Sequence, residues 1–475
     1  MAVQCTFLVM IAPQFATGES KIQNAQKAIT LTESTVNVTI NSTNIGTVTG
    51  PNIDCGTYCS ETYANGTVIS LKAVPKAYWK FAYWDNGETV NSSNPMVFKV
   101  KGNVTWAARF LPTDRINKLR AIDSNPLGTR TPVILVHGNN GENSSDSYCD
   151  WARFINNAKA NATFMGKYKM YLYRWHTPHS NLYNGLALGV LLDEVKGLRN
   201  KNVLFVAHSR GGLIARYYMN RYQPIQGNFK GNPAGEKVQY LVTLATPHRG
   251  SPGADRYWVD FTINNYLGTL AAPLSNVYIN NVWNRGYLYL LWDDVNGILT
   301  NDTVCCWDSF VYGDDFSSKL DSNKTDLAKL NKQEKYLKKI IAYGGNIFNP
   351  KYDLKDILDI IVSGNGSEHY ALIATSVLMA TVPIIPNGYP ENPIKRFPFK
   401  AGDGMVPLFS SLFLKPGGLN IFTVDDSGSA QYDSNKLAQY TQIKEVNIWK
   451  SDTDHLNFID NDSKIKAVIK RLNNL

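Results

Sequence analysis

The chain has 475 residues, is 44% hydrophobic and 18% charged, and carries a formal net charge of +9. This is ordinary globular composition spread over a length that calls for two or three units. The basic residues are scattered and form no dense Lys/Arg run, which argues against a nucleic-acid partner.

The first elements in chain order concern export. Residues 6 to 12 (TFLVMIA) are apolar, and Ala16 and Gly18 follow with the small-residue spacing of a cleavage site, so residues 1–18 are expected to be a signal peptide that lacks a positive start. Asn-x-Ser/Thr sequons from Asn37 to Asn461 and the pattern of cysteines agree with a secreted or cell-surface protein. Of six cysteines, Cys5 would leave with the leader, and Cys55 with Cys59 form the candidate short-range disulfide. Nothing in the Cys and His spacing suggests zinc.

Residues 34–111 alternate apolar and polar side chains over short runs, with turns at Asn65–Gly66 and Asn86–Gly87, which predicts a small all-β module. With its Cys55/Cys59 turn, its Ala-x-Pro before an aromatic run and its closing Ala-Arg-Phe, the segment resembles short β repeats of bacterial surface and secreted proteins. That resemblance implies a spacer or adhesive element that contacts a surface or polymer and carries no chemistry of its own.

After Pro112 strands alternate with helical patterns, which predicts an α/β fold over residues 112–475 with a doubly wound, mostly parallel sheet. Residues 133–136, 169–175, 203–206, 238–244 and 340–343 read as central strands, apolar on both faces. A helix is predicted over 181–199 and another over 213–222. Insertions at about 251–335 and 347–398, rich in Tyr, Trp, Asn and Leu, read as lid or cap elements or as a packed subdomain. The apolar run from Tyr370 to Pro386 is too short for a transmembrane span, which takes roughly 20 residues, and it contains Pro383.

The chemistry centres on NVLFVAHSRGG, Asn202 to Gly212, where an apolar strand runs into Ser209 between small residues and a helix follows. A strand–turn–helix of this kind exposes a strained serine nucleophile. A serine hydroxyl needs a histidine base, and the histidine needs a carboxylate to hold its tautomer. Of the histidines beyond Ser209, His248, His369 and His455, only His455 lies near the C-terminus on a loop after a strand-like run, so it is taken as the base. Asp403, between glycines in KAGDGMVP, is the expected acid, ahead of Asp452 and Asp454, which are too near His455 in sequence to meet its ring in plane. Backbone amides of Arg210 and of Asn139, in the HGNNG loop that follows the strand VILV, are the expected oxyanion donors. His137 and His208 read as structural.

VHGNNG, AHSRGG, VTLATPHRGS, AGDGMVP and DTDHLNF occur in that order over residues 130–475 and resemble the motifs of α/β-hydrolase lipases and related acyl-ester hydrolases. The resemblance implies a Ser209, Asp403 and His455 triad, oxyanion amides at Asn139 and Arg210, and a structural or cleft-lining His248. Ala207 replaces the more usual glycine, and polar Asn139 and Asn140 stand where many lipases have bulky apolar residues, which bears on the preferred acyl chain. No cofactor is expected; Ca2+ among Asp452, Asp454, Asp460 and Asp462 is the minor alternative to a solvated acidic loop. The expected function is secreted hydrolysis of carboxylic esters, foremost lipid esters of the acylglycerol or phospholipid type. A hydrophobic polyester depolymerase, an acyltransferase and a non-catalytic surface-binding protein are the alternatives.

Overall fold

A computed structural model of the chain describes residues 32–139, 141–145, 147–177, 179–251, 326–352, 372–373, 376–377, 401–415, 418 and 421–475. The expected leader, most of both insertions, Cys305, Cys306 and most of the 370–386 run lie outside the described residues.

The N-terminal module is entirely β. Its strands are β1 (Glu33–Thr39), β2 (Gly46–Gly50), β3 (Ile53–Cys55), β4 (Ser60–Ala64), β5 (Val68–Pro75), β6 (Trp79–Asp85), β7 (Val90–Asn91), β8 (Met96–Lys99) and β9 (Val104–Pro112). They form two sheets, ordered β4-β1-β9-β6-β7 and β3-β2-β5-β8. The period of two is visible in burial: Ile69, Leu71 and Ala73 of β5 face inward while Val68, Lys72 and Val74 are exposed. At the Asn86–Gly87 turn the Asn86 side chain accepts from the amides of Glu88 and Thr89. Cys55 and Cys59 are joined as a disulfide.

The second unit is a seven-stranded sheet built from β10 (Lys118–Ala121), β11 (Thr131–Val136), β12 (Tyr168–Arg174), β13 (Val203–His208), β14 (Val238–Leu244), β15 (Ile340–Gly345) and, beyond a short hairpin of β16 (Thr423–Val424) and β17 (Ala430–Gln431), β18 (Glu445–Trp449). The order is β10-β12-β11-β13-β14-β15-β18, parallel except for β10 at one edge. Every residue of β13 and all but the first of β11 are buried, because helices cover both faces and leave no polar side to alternate with. α1 (Ala152–Lys159), α2 (Ala162–Lys167) and the C-terminal helix Asp462–Asn473 pack together over one face. On the other face α3 (Asn181–Glu194) lies beside α4 (Gly211–Arg221).

α3 stops at Glu194, five residues short of the helix expected to Arg199: β-branched Val195 takes an extended backbone and a 3-10 turn, Lys196–Leu198, follows. α3 is apolar nearly all round because it is enclosed on its outer side as well. The cover is the N-terminal module, and β6 runs along α3: the Trp79 ring lies 5.2 Å from that of Tyr183, and Tyr83 donates to Glu194 at 3.4 Å. Asn41 Nδ2 donates to the Tyr222 hydroxyl at 2.6 Å, and that hydroxyl donates to Asp193 at 2.8 Å. Val36, Trp84 and Phe110 of the module belong to the same apolar cluster as Leu186, Val190 and Phe205. The module is therefore packed into the second unit, which differs from the detachable spacer that its repeat-like sequence implied.

Candidate active site

The chain moves to one side of β11 to make β12 and to the other side to make β13, so a crevice opens at the carboxyl ends of β11 and β13. The loops after these two strands carry the sequence-predicted oxyanion residue and nucleophile. Ser209 follows β13 directly with φ of +52°, a conformation that a side-chain-bearing residue adopts only when its surroundings hold it there. Here its amide donates to the Leu244 carbonyl at 2.8 Å. The turn is crowded. A Cβ on Gly211 would stand 2.4 Å from the His137 carbonyl oxygen, and one on Gly138 would stand 3.1 Å from Ser209 Cβ. Both glycines let the two loops touch, which sets Asn139 beside the nucleophile.

The chain then brings the other two predicted residues to Ser209. His455 Nε2 is 2.9 Å from Ser209 Oγ, and His455 Nδ1 is 3.0 Å from Asp403 Oδ2. Ser209, Asp403 and His455 are all buried. Asp403 is fixed by its own loop: Oδ1 accepts from the amides of Met405 at 2.9 Å and Val406 at 2.7 Å, and its carbonyl accepts from the His455 amide at 2.9 Å. Asp454 is turned to another task, its Oδ1 accepting from the amides of Leu456 and Asn457 at 2.9 Å each and so shaping the loop that carries His455. Among the described residues no group of His, Cys, Asp and Glu is arranged to hold a metal ion.

Arg210 is fully buried, and its side chain organises the loops around the nucleophile. Its guanidinium donates to Asn181 Oδ1 at 2.7 Å, to the carbonyls of Thr177 at 2.7 Å and His179 at 2.6 Å, and to Asn139 Oδ1 at 3.1 Å. It also lies over the Trp175 ring at 5.0 Å. The two predicted oxyanion residues are thus tied to each other through their side chains. Neither this clamp nor the buried Glu142, whose carboxylate takes the amide and hydroxyl of Thr177 at 2.7 Å each, was visible as a pattern in the sequence.

The remaining histidines near the site are scaffolding. His208 Nε2 donates to the His455 carbonyl at 2.9 Å, and His137 accepts from the Trp175 amide at 3.0 Å while stacking on its ring. His248 lies between Thr243 Oγ1 at 3.1 Å and the Arg216 guanidinium at 3.3 Å. Burial pushes all three down, His137 to about 4, His208 to about 3, and His248 well below its ordinary value with help from the Arg216 and Arg249 charges. Below about pH 6.5 the unfolded chain takes up protons that the folded one refuses. Their contribution to stability is thus full above that pH and declines on acidification toward the folded values. The denaturant midpoint should fall between pH 7 and pH 4.5, and replacing His248 by Gln should flatten the slope; a midpoint independent of pH over that interval would contradict the buried neutral histidines.

Comparison with known proteins places these features. Residues 132–275 match the family described as "Putative serine esterase (DUF676)", a span that contains Asn139, Ser209 and Arg210 and ends before Asp403 and His455. Residues 36–114 match the "Divergent InlB B-repeat domain". Among curated proteins none matches the chain. Similar solved structures include lipase BlEst2 of Bacillus licheniformis in mature form, 16% identical over 75% of this chain and 98% of that one with a TM-score of 0.36. Lipase 1 of Pelosinus fermentans is 15% identical over 73% and 99% with a TM-score of 0.39, and EstA of Clostridium botulinum is 15% identical over 77% and 93% with a TM-score of 0.40. Residues 132–275 are thus similar to a serine esterase family and residues 36–114 to a divergent InlB B-repeat domain, so that the segment carrying Ser209 follows the repeat-like module in one chain.

Proposed function

We propose that the protein is an exported carboxylic ester hydrolase acting through Ser209, His455 and Asp403, with lipid esters as its substrates. The observation that carries the reading is the unbroken hydrogen-bonded line from Ser209 Oγ through both ring nitrogens of His455 to Asp403. As Ser209 Oγ attacks the ester carbonyl carbon, its proton passes to His455 Nε2, and Asp403 stabilises the imidazolium through Nδ1. The carbonyl oxygen gains the negative charge and is held by the amides of Asn139 and Arg210, each such donor being worth about 3–4 kcal/mol at the transition state. Collapse of the tetrahedral species breaks the ester C–O bond, and His455 returns the proton to the departing alcohol. Water then attacks the acyl-enzyme by the same route and releases the acid.

Lipid esters are favoured by the apolar, aromatic character of the two long insertions in sequence. Export is supported by the apolar segment at residues 6–12 and by the Cys55–Cys59 disulfide. A fluorophosphonate probe is expected to form one adduct, on the peptide containing Ser209, and Ser209→Ala is expected to lose both the adduct and p-nitrophenyl ester turnover with an unchanged circular dichroism spectrum. Turnover retained by Ser209→Ala would reject the nucleophile. An ester series from acetate to oleate, spanning each substrate's solubility limit, tests the lipid reading: rates that rise beyond the limit support it, and a preference for short soluble esters refutes it.

A further inference from the structure

Thr177 and His179, between β12 and α3, are held from the active site. The Arg210 guanidinium donates to both of their carbonyls and to the Asn139 side chain, while the Glu142 carboxylate accepts from Thr177. The N-terminal module meets the same segment. In the turn between β5 and β6, the Tyr78 ring stands edge-on to the His179 ring at 4.9 Å and to the Tyr183 ring at 6.1 Å. Asp114, just after β9, accepts from the Tyr183 hydroxyl at 2.5 Å and lies 3.8 Å from His179 Nε2.

Tyr78 is unusual on two counts. It is third in a four-residue turn closed by the Trp79 amide, which donates to the Lys76 carbonyl at 3.0 Å, and its φ is +69°. That position and angle suit glycine, and a bulky side chain there is strained. The residue is also 62% exposed, so burial of its ring gives the fold little in return. Backbone strain persists only where the surroundings impose it, and it concentrates at functional sites. Here the Tyr78 carbonyl accepts from the amide of Thr113 at 2.9 Å and from its hydroxyl at 3.0 Å, which fixes the turn against the segment leading out of the module. What the strained conformation secures is the contact between its ring and His179.

We propose that Tyr78 is a positioning residue for ester hydrolysis: its ring steadies His179, whose carbonyl anchors the Arg210 guanidinium and thereby the oxyanion amides of Arg210 and Asn139. The inference rests on the esterase reading and gives the module a part in turnover. Such a route matters because oxyanion donors act only when placed about 2.7–3.1 Å from the developing charge. A displacement of about 1 Å from a distant substitution can cost about a hundredfold in rate.

Kinetics of the full-length protein on p-nitrophenyl butyrate test this with Tyr78→Gly, which removes the ring and relaxes the backbone, and Tyr78→Phe, which keeps the ring. Tyr78→Gly is expected to melt no lower than wild type and yet to lose at least fivefold in kcat, with KM within twofold. Its affinity for an aryl trifluoromethyl ketone, which Ser209 converts into an oxyanion adduct, should fall by the same factor as kcat. Tyr78→Phe should match wild type. Asn139→Ala, which cuts the side-chain tie to Arg210 and keeps the backbone amide, should also be slow, and adding Tyr78→Gly to it should cost less than twofold more. An unchanged kcat in Tyr78→Gly, a loss confined to KM, a melting temperature lowered along with kcat, a loss shared by Tyr78→Phe, or losses that multiply in the double variant would each overturn the inference and leave the Ser209 chemistry standing. A wild-type protein without ester turnover would overturn the esterase reading and this inference together.

Discussion

Asp403→Asn is expected to lower kcat for p-nitrophenyl butyrate by about four orders of magnitude, the loss that follows when the acid of a serine triad becomes an amide. The cause is specific to the hydrogen bond at 3.0 Å between Asp403 Oδ2 and His455 Nδ1. An amide nitrogen at that position donates instead of accepting, which selects the tautomer with a proton on Nε2 and leaves no lone pair there for the Ser209 proton. Folding should survive, because Oδ1 can keep its contacts with the amides of Met405 and Val406. Asp454→Asn is the control: an amide oxygen can still accept from Leu456 and Asn457, so kcat should stay within a few-fold of wild type. If instead Asp454→Asn is the variant that collapses and Asp403→Asn remains active, the acid has been misassigned.

The parts of this molecule that were legible in sequence are those where local chemistry and tertiary role coincide. Strands such as VILV and VLFV reveal themselves because a parallel strand buried on both faces has no reason to alternate. The serine turn is legible because strain and close approach restrict it to small residues around Ser209. The edge strand β10 was not, since its Lys118, Arg120 and Ala121 are exposed and carry no strand signature. Equally silent was Asn346, a fully buried loop residue that accepts from the Gly402 amide at 3.1 Å and donates to the carbonyls of Phe348 and Gly428 at 3.0 Å each, thereby holding the loop of Asp403. Nothing distinguishes such an asparagine from a solvated one until the chain has folded around it. The guanidinium clamp of Arg210 belongs with it, since an arginine after a nucleophile reads as a surface residue by default.

The association of the two units shows the same limit, and it carries the second large effect. A chain reduced to residues 112–475 is expected to be recovered as aggregate or as a species with lost near-ultraviolet dichroism, whereas the full-length protein should unfold in one calorimetric transition. The reason lies along α3, which is apolar nearly all round and is sheltered on its outer side by β6 and β9. Removing the module takes away Val36, Trp84 and Phe110 from a cluster shared with Leu186 and Val190, and each large apolar side chain returned to water costs about 1.5–3 kcal/mol. It also uncovers the Tyr222–Asp193 pair, whose buried carboxylate is pushed up by desolvation and has its surroundings completed by Asn41 of the module. A few such losses together reach the entire stability of an ordinary domain, about 5–15 kcal/mol. Full-length protein that melts in two separate transitions, with residues 112–475 soluble and active alone, would show that the packing against α3 is dispensable and that the module is a detachable appendage after all.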